Sequence, residues 1–178
     1  MTMSVTVVYV ADTGHAVGAL ALTGAEAATD VESLIGRALP LRVAVGEGGT
    51  VSLPLSSRRL AVLNADDEPG VLAEPLAFGV ELTADGRPRP TLLRLASWRD
   101  GVTLATNGLT VELPLAAGRA TPVVALVSDG QETHVLAGEI PAQQTRVTLP
   151  LTLESAGGHG VLVLAAGWAG RLMKAVPR

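Results

Sequence analysis

The sequence predicts an all-β fold, a β-sandwich of immunoglobulin-like or jelly-roll-like shape, with one short helix near residues 30–38. Three observations carry this. The pentad V-x-L-P-L recurs at 51–55, 111–115 and 147–151. Short apolar runs are separated by Gly-, Pro-, Asn- and Asp-rich turns at intervals of about 8 to 12 residues, the spacing of a sandwich or barrel. Aromatic residues make up only 2% of the chain against 48% hydrophobic residues, so the core must be built from Val, Leu and Ala. In each pentad the Val and both Leu share one face of a strand and the proline takes the other. Proline brings no N–H to a ladder, which places these strands at edges or bulges.

Residues 5–10 form an apolar strand that contains Tyr9, and the turn Asp12-Thr13-Gly14 leads into a second strand at 16–22. This hairpin resembles the one around Asp129-Gly130, where strands 123–128 and 133–140 meet. Both have an Asp at the turn and a His entering the return strand, His15 and His134. The likeness raises the idea of an internal duplication giving two similar β halves. The single helical signal follows: Thr29 and Glu32 have capping-box spacing, and Val31, Leu34, Ile35 and Ala38 recur at helical intervals. Strands at 39–45 and 50–55 flank Gly46-Glu47-Gly48-Gly49, a glycine loop that leads into a strand. A phosphate cradle would require a helix there, with Lys and Ser or Thr, so the phosphate reading fails.

A strand at 59–63 is closed by the polar run 64–70. Residues 76–82 alternate apolar with small or polar, as in a half-buried strand. The turn 85–90 is the best candidate boundary. Two organisations fit: halves of 1–88 and 89–178, or one domain over 1–178. Strands at 91–97, 102–106 and 109–115 are expected to form a meander, with Asn107-Gly108 as its two-residue turn. A strand at 146–153 holds the third pentad. Residues 161–166 are continuously apolar, as suits a central strand buried on both faces, and 171–176 close the sheet or form a tail.

Composition excludes several classes of function. Cysteine is absent, which removes disulfides, thiolate chemistry and cysteine-bound zinc. A net charge of −4 argues against nucleic acid. The longest apolar stretch, 160–170, falls well short of the roughly 20 residues needed to span a bilayer. No basic region precedes the N-terminal apolar run, so no secretory signal and a cytoplasmic location are expected. The preference for Arg over Lys, with abundant Ala, Gly and Val, points to GC-rich, bacterial coding.

Candidate chemistry is sparse. There are three histidines, His15, His134 and His159. No nucleophile elbow accompanies them, so a Ser-His-Asp hydrolase finds no support. His15 near Asp12 and His134 near Asp129 resemble half-sites for a metal, but solvated turn residues are the expected role. Asp66, Asp67 and Glu68 form an acidic loop without the ligand order of a calcium site, and a solvated turn is expected. No catalytic, cofactor-binding or metal residue is therefore assigned, and no cofactor. Trp and Arg are enriched at interface hot spots, so Trp98 with Arg99, and Trp168 with Arg171, are the interface candidates. The competing role for each Trp is to plug the end of a sandwich core.

With mean hydropathy at +0.39 and 17% charged residues, the chain has few charges to cover a monomer. The expected function is a non-enzymatic structural or adaptor subunit. It would pack against other proteins or copies of itself, as in a phage-tail-like machine, without nucleic-acid partners or membrane insertion. A small-ligand or carbohydrate-binding module is the alternative, and an Asp/Glu-His hydrolase the weaker one.

Overall fold

The computed structural model describes residues 4–23, 28–66 and 68–178. In chain order the elements are β1 (Ser4–Val10), β2 (Ala16–Leu22), α1 (Val31–Ile35), β3 (Ala38–Val45), β4 (Gly49–Ser56), β5 (Leu60–Ala65) and α2 (Gly70–Ala73). They continue with β6 (Phe78–Leu82), β7 (Pro88–Arg94), β8 (Val102–Ala105), β9 (Gly108–Glu112), β10 (Thr121–Ser128), β11 (Thr133–Ile140), β12 (Arg146–Pro150), β13 (His159–Ala165) and β14 (Arg171–Ala175). The chain is thus all-β, with antiparallel registers between its paired strands.

Two compact units share the chain. The first comprises Met1–Leu39, Leu55–Ser97 and Gly167–Ala169, and the second Pro40–Pro54, Trp98–Ala166 and Gly170–Arg178. In the first, the sheet order is β2-β1-β5, and β6 pairs with β7. Val5, Val7, Ala16, Ala65, Phe78 and Val71 of α2 make its core, all buried. Thr6, on the other face of β1, is buried too and donates to Asn64 Oδ1 at 3.0 Å, which removes the cost of an unpaired hydroxyl. At the β1–β2 turn, Gly14 has φ of +78° and its carbonyl accepts from Val80 N–H at 2.7 Å. A Cβ at Gly14 would lie 2.7 Å from Val80 O, so the turn requires glycine for both its conformation and its close approach to β6.

In the second unit a four-stranded sheet, β11-β10-β13-β14, provides the core, with a three-stranded sheet β12-β9-β8 and the hairpin β3–β4 beside it. Every residue of β13 is buried, and in β10 only Pro122 is exposed. Register explains how both faces are covered. Gly138, Val123 and Ala165 stand opposite one another and so share a face, and a Cβ at Gly138 would run into Leu149 of β12. Ser128 and Gly160 share the other face, where a Cβ at Gly160 would lie 3.3 Å from Val51 and 3.5 Å from Leu53 of β4. Continuous apolar sequence in β10 and β13 therefore has a partner on each side. The first pentad supplies one of them: Val51 and Leu53 are at most 3% exposed while Pro54 stands outside.

Several local expectations are corrected. Helix α1 ends at Ile35 rather than at 38, because Gly36 adopts φ of +72°, and its cap is Asp30, whose carboxylate accepts from Ser33 N–H at 2.9 Å, not Thr29. Leu76 and Ala77 lie in a 3-10 turn, Pro75–Ala77, ahead of β6, since Pro75 favours a helical start. Helix α2 arises from a stretch with too few residues to show a period. The expected meander holds only for β8 and β9; β7 pairs with β6 instead, and the 85–90 turn joins them. In the second pentad the strand stops at Glu112, and Leu115 is 68% exposed. The third pentad's strand stops at Pro150, although Leu151 N–H still donates to Asn107 O at 3.4 Å.

The two similar hairpins also share their surroundings. β1 lies between β2 and β5, and β10 between β11 and β13. In both cases the third strand follows a pentad strand, β4 or β12, in the sequence.

Candidate functional site

The four interface candidates are divided differently from their sequence pairing. Trp98 is 6% exposed, and the Arg171 guanidinium stands 5.0 Å from the centre of its ring, a cation–π pair within the second unit. Burial lowers the pKa of Arg171, against the opposing pull of the Asp100 carboxylate, and its Nη1 is buried with no hydrogen-bond partner. Arg99 is exposed. Trp168 is half-buried in the first unit, where it bridges to Ala96 and where the Ala169 N–H donates to Ala96 O at 2.8 Å.

The histidines depart most from expectation. His15 is no solvated turn residue: it has no exposed surface. Its Nε2 lies 2.6 Å from Trp168 O and its Nδ1 2.8 Å from Thr13 Oγ1. A carbonyl can only accept, so Nε2 carries the proton and, in the neutral ring, the Thr13 hydroxyl donates to Nδ1. Burial lowers its pKa to about 4, although the Trp168 bond favours the charged form. Asp12 does not join it but pairs with Arg59 at 3.2 Å. In the acidic loop, Asp66 N–H donates to Pro90 O and Glu68 accepts from Gly70 N–H, both within the first unit; Asp67 lies outside the described residues. No group of His, Asp and Glu able to hold a metal occurs among the described residues.

His134 and His159 meet in the second unit, in a cleft of about 270 Å³. His134 enters from the start of β11, His159 from the start of β13, Asp129 and Glu132 from the β10–β11 turn, and Glu154 and Ser155 from the segment after β12. Cross-strand register puts His134 and His159 on one face of the sheet, through Val127 and Val161. His134 Nε2 is 3.7 Å from Glu132. The turn is closed by Asp129, whose Oδ1 accepts from the N–H of Gln131 and of Glu132, each at 2.9 Å. Those bonds, from Glu132 first and then Gln131, lower the Asp129 pKa, and His159 adds a smaller pull.

Comparison with protein-family models, curated proteins and solved structures finds no match.

Sequence reasoning found His134 and Asp129 as neighbours but did not bring His159, Glu132 or Glu154 to them. The available signal was His159 itself, a lone polar residue opening a run that is otherwise apolar to Ala166. The convergence of three separate segments has no signature in sequence spacing. Among the described residues no helix is long and apolar enough to cross a membrane.

Proposed function

We propose that the chain is a structural or adaptor subunit that joins protein chains rather than an enzyme, and that β11 is the strand through which it does so. The unguarded outer edge of β11 carries this reading. The Asp129 N–H donates to Glu132 O at the turn, so the rungs shared with β10 fall at residues 134, 136, 138 and 140. Thr133, Val135, Ala137 and Glu139 then turn their N–H and C=O groups away from β10, and among the described residues no strand pairs with that side.

Three other margins of the second unit are blunted. Pro150 ends β12, β14 carries Lys174, and β8 is four residues long with Leu104 O already accepting from Arg178 N–H at 3.0 Å. β11 is eight residues long, has no proline, lysine or bulge, and leaves Val135 49% exposed. A strand added here would gain main-chain hydrogen bonds and cover Val135 at once.

The test is solution mass by light scattering over a dilution series, with Ala137→Pro as the variant. The Ala137 N–H points outward, so proline removes no rung to β10. The expected result is a defined oligomer in the wild type and an 18.1 kDa monomer in the variant, with unchanged circular dichroism. If the wild type is itself monomeric, the occupant of the edge is a different protein, and capture from source cells must be lost in Ala137→Pro. Association or capture that survives the substitution overturns the proposal.

A further inference from the structure

The outer edge of β11 is complementary to itself. Thr133, Val135, Ala137 and Glu139 turn their N–H and C=O groups away from β10, so an added antiparallel strand must set its own bonding residues opposite these. If the added strand is a second β11, its bonding residues are the same alternate positions, and the two strands slide past each other only in steps of two. One register gives every outward residue of both strands a full partner. It sets Leu136 opposite Leu136 of the second copy, with Thr133 opposite Glu139 and Val135 opposite Ala137 on either side. A register centred on Ala137 instead sets Thr133 against Pro141, which has no N–H to return. A register centred on Val135 sets Glu139 against Gln131, whose N–H is already spent on Asp129 Oδ1 at 2.9 Å.

We infer that the occupant of this edge is a second copy of the chain, joined β11 to β11 in antiparallel about a two-fold axis at Leu136. This rests on the reading of β11 as the joining strand and names its partner. The side chains agree with the register. Exposed Val135 meets exposed Ala137 of the second copy, an apolar cross-strand pair, and half-buried Leu136 meets its own counterpart. His134 stands opposite Gly138, which has no side chain to obstruct the ring. His134 and Glu139 are the only titratable residues of the strand, and Glu139 faces neutral Thr133, so no like charges are opposed. Registers centred on His134 or on Glu139 would oppose like residues and give up rungs as well. The sheet β11-β10-β13-β14 then runs unbroken across both copies. A two-fold contact consumes both edges, so growth stops at the dimer.

The chain has no cysteine, so an introduced one reports on its own position alone. The experiment joins light scattering of the wild type to oxidation of three full-length variants, Leu136→Cys, Val135→Cys and Ala137→Cys. In the inferred register residue 136 faces its own copy in a pair without rungs, with Cα atoms about 4.5 Å apart, which a disulfide spans. Residues 135 and 137 lie diagonally from their own copies, about 7–8 Å away, beyond that reach. The expected result is a wild-type dimer of twice 18.1 kDa and a disulfide-linked dimer in Leu136→Cys, with at least about tenfold less in the other two. Because Leu136 is half-buried, the wild type is checked directly as well: in mixed labelled and unlabelled chains, an intermolecular NOE must join His134 Hα to Gly138 Hα. Cross-linking that favours residue 135 or 137, an assembly larger than a dimer, or a dimer without that NOE overturns the inference. A monomeric wild type also overturns it, and capture from source cells then separates the two claims. Capture lost in Ala137→Pro keeps β11 as the joining strand for a different protein, and capture retained removes both.

Discussion

His15 donates its Nε2 proton to the carbonyl oxygen of Trp168 across 2.6 Å, from a ring with no exposed surface. The two residues are 153 positions apart in the sequence. The bond holds the turn between β13 and β14 in the same unit as the first hairpin.

Acid sensitivity follows. The folded pKa of His15, about 4, lies below its ordinary value of 6.5, so between these values the unfolded chain binds more protons. The contribution is complete above pH 6.5, is lost progressively as pH falls towards 4, and amounts to about 3 kcal/mol at full span. Urea denaturation of wild type and His15→Gln from pH 4 to 7.5 measures it. The variant should be less stable at pH 7.5 and show a flatter dependence across the window; parallel curves would remove His15 as the source.

Gly14→Ala should cost about 2 kcal/mol, combining a positive φ with a collision against Val80 O. Gly36→Ala, also at positive φ but with open space around it, should cost less. Thermal melts of the two variants rank them, and an equal loss would leave conformation alone as the cause.

Leu53→Ala should destabilise by about 2–5 kcal/mol, as large-to-small changes in packed cores do. Pro54→Ser, one residue on and facing outward, should stay within about 0.5 kcal/mol of wild type. Reversal of that order in denaturant midpoints would contradict the burial of β4 against β13.

Arg171→Met should match or exceed the wild type in stability. It gives up a cation–π contact worth about 0.5–1 kcal/mol but removes a buried, unpartnered N–H, whose burial costs about 1–3 kcal/mol. The denaturant midpoint checks this, and Trp98 emission should shift with the change over its ring. A loss above 1 kcal/mol would mean that Nη1 is satisfied by solvent.

Much of the strand pattern was legible because period-two alternation and turn chemistry are local. β2 and β11 match their expected limits, and Val51, Leu53, Leu109, Val111 and Leu149 take the expected buried face. What failed was non-local. That β7 pairs with β6, and that Trp98 meets Arg171, depends on packing between segments that no spacing rule links. A histidine beside an Asp-Thr-Gly turn, as His15 is, looks solvated until its partner, Trp168, is brought to it. The cleft was half legible: Asp129 and His134 share a hairpin, while His159 and Glu154 arrive from elsewhere in the chain.

Neither unit is an unbroken stretch of the chain, and this bears on heredity as much as on folding. The first unit takes Gly167–Ala169 from near the C-terminus, and the second takes Pro40–Pro54 from before the midpoint. A gene cut at residue 97 would encode His15 without its acceptor, and the remaining half would lack the strand that covers one face of β13. No single cut in the gene would release either unit whole, so the coding segments of the two are interleaved.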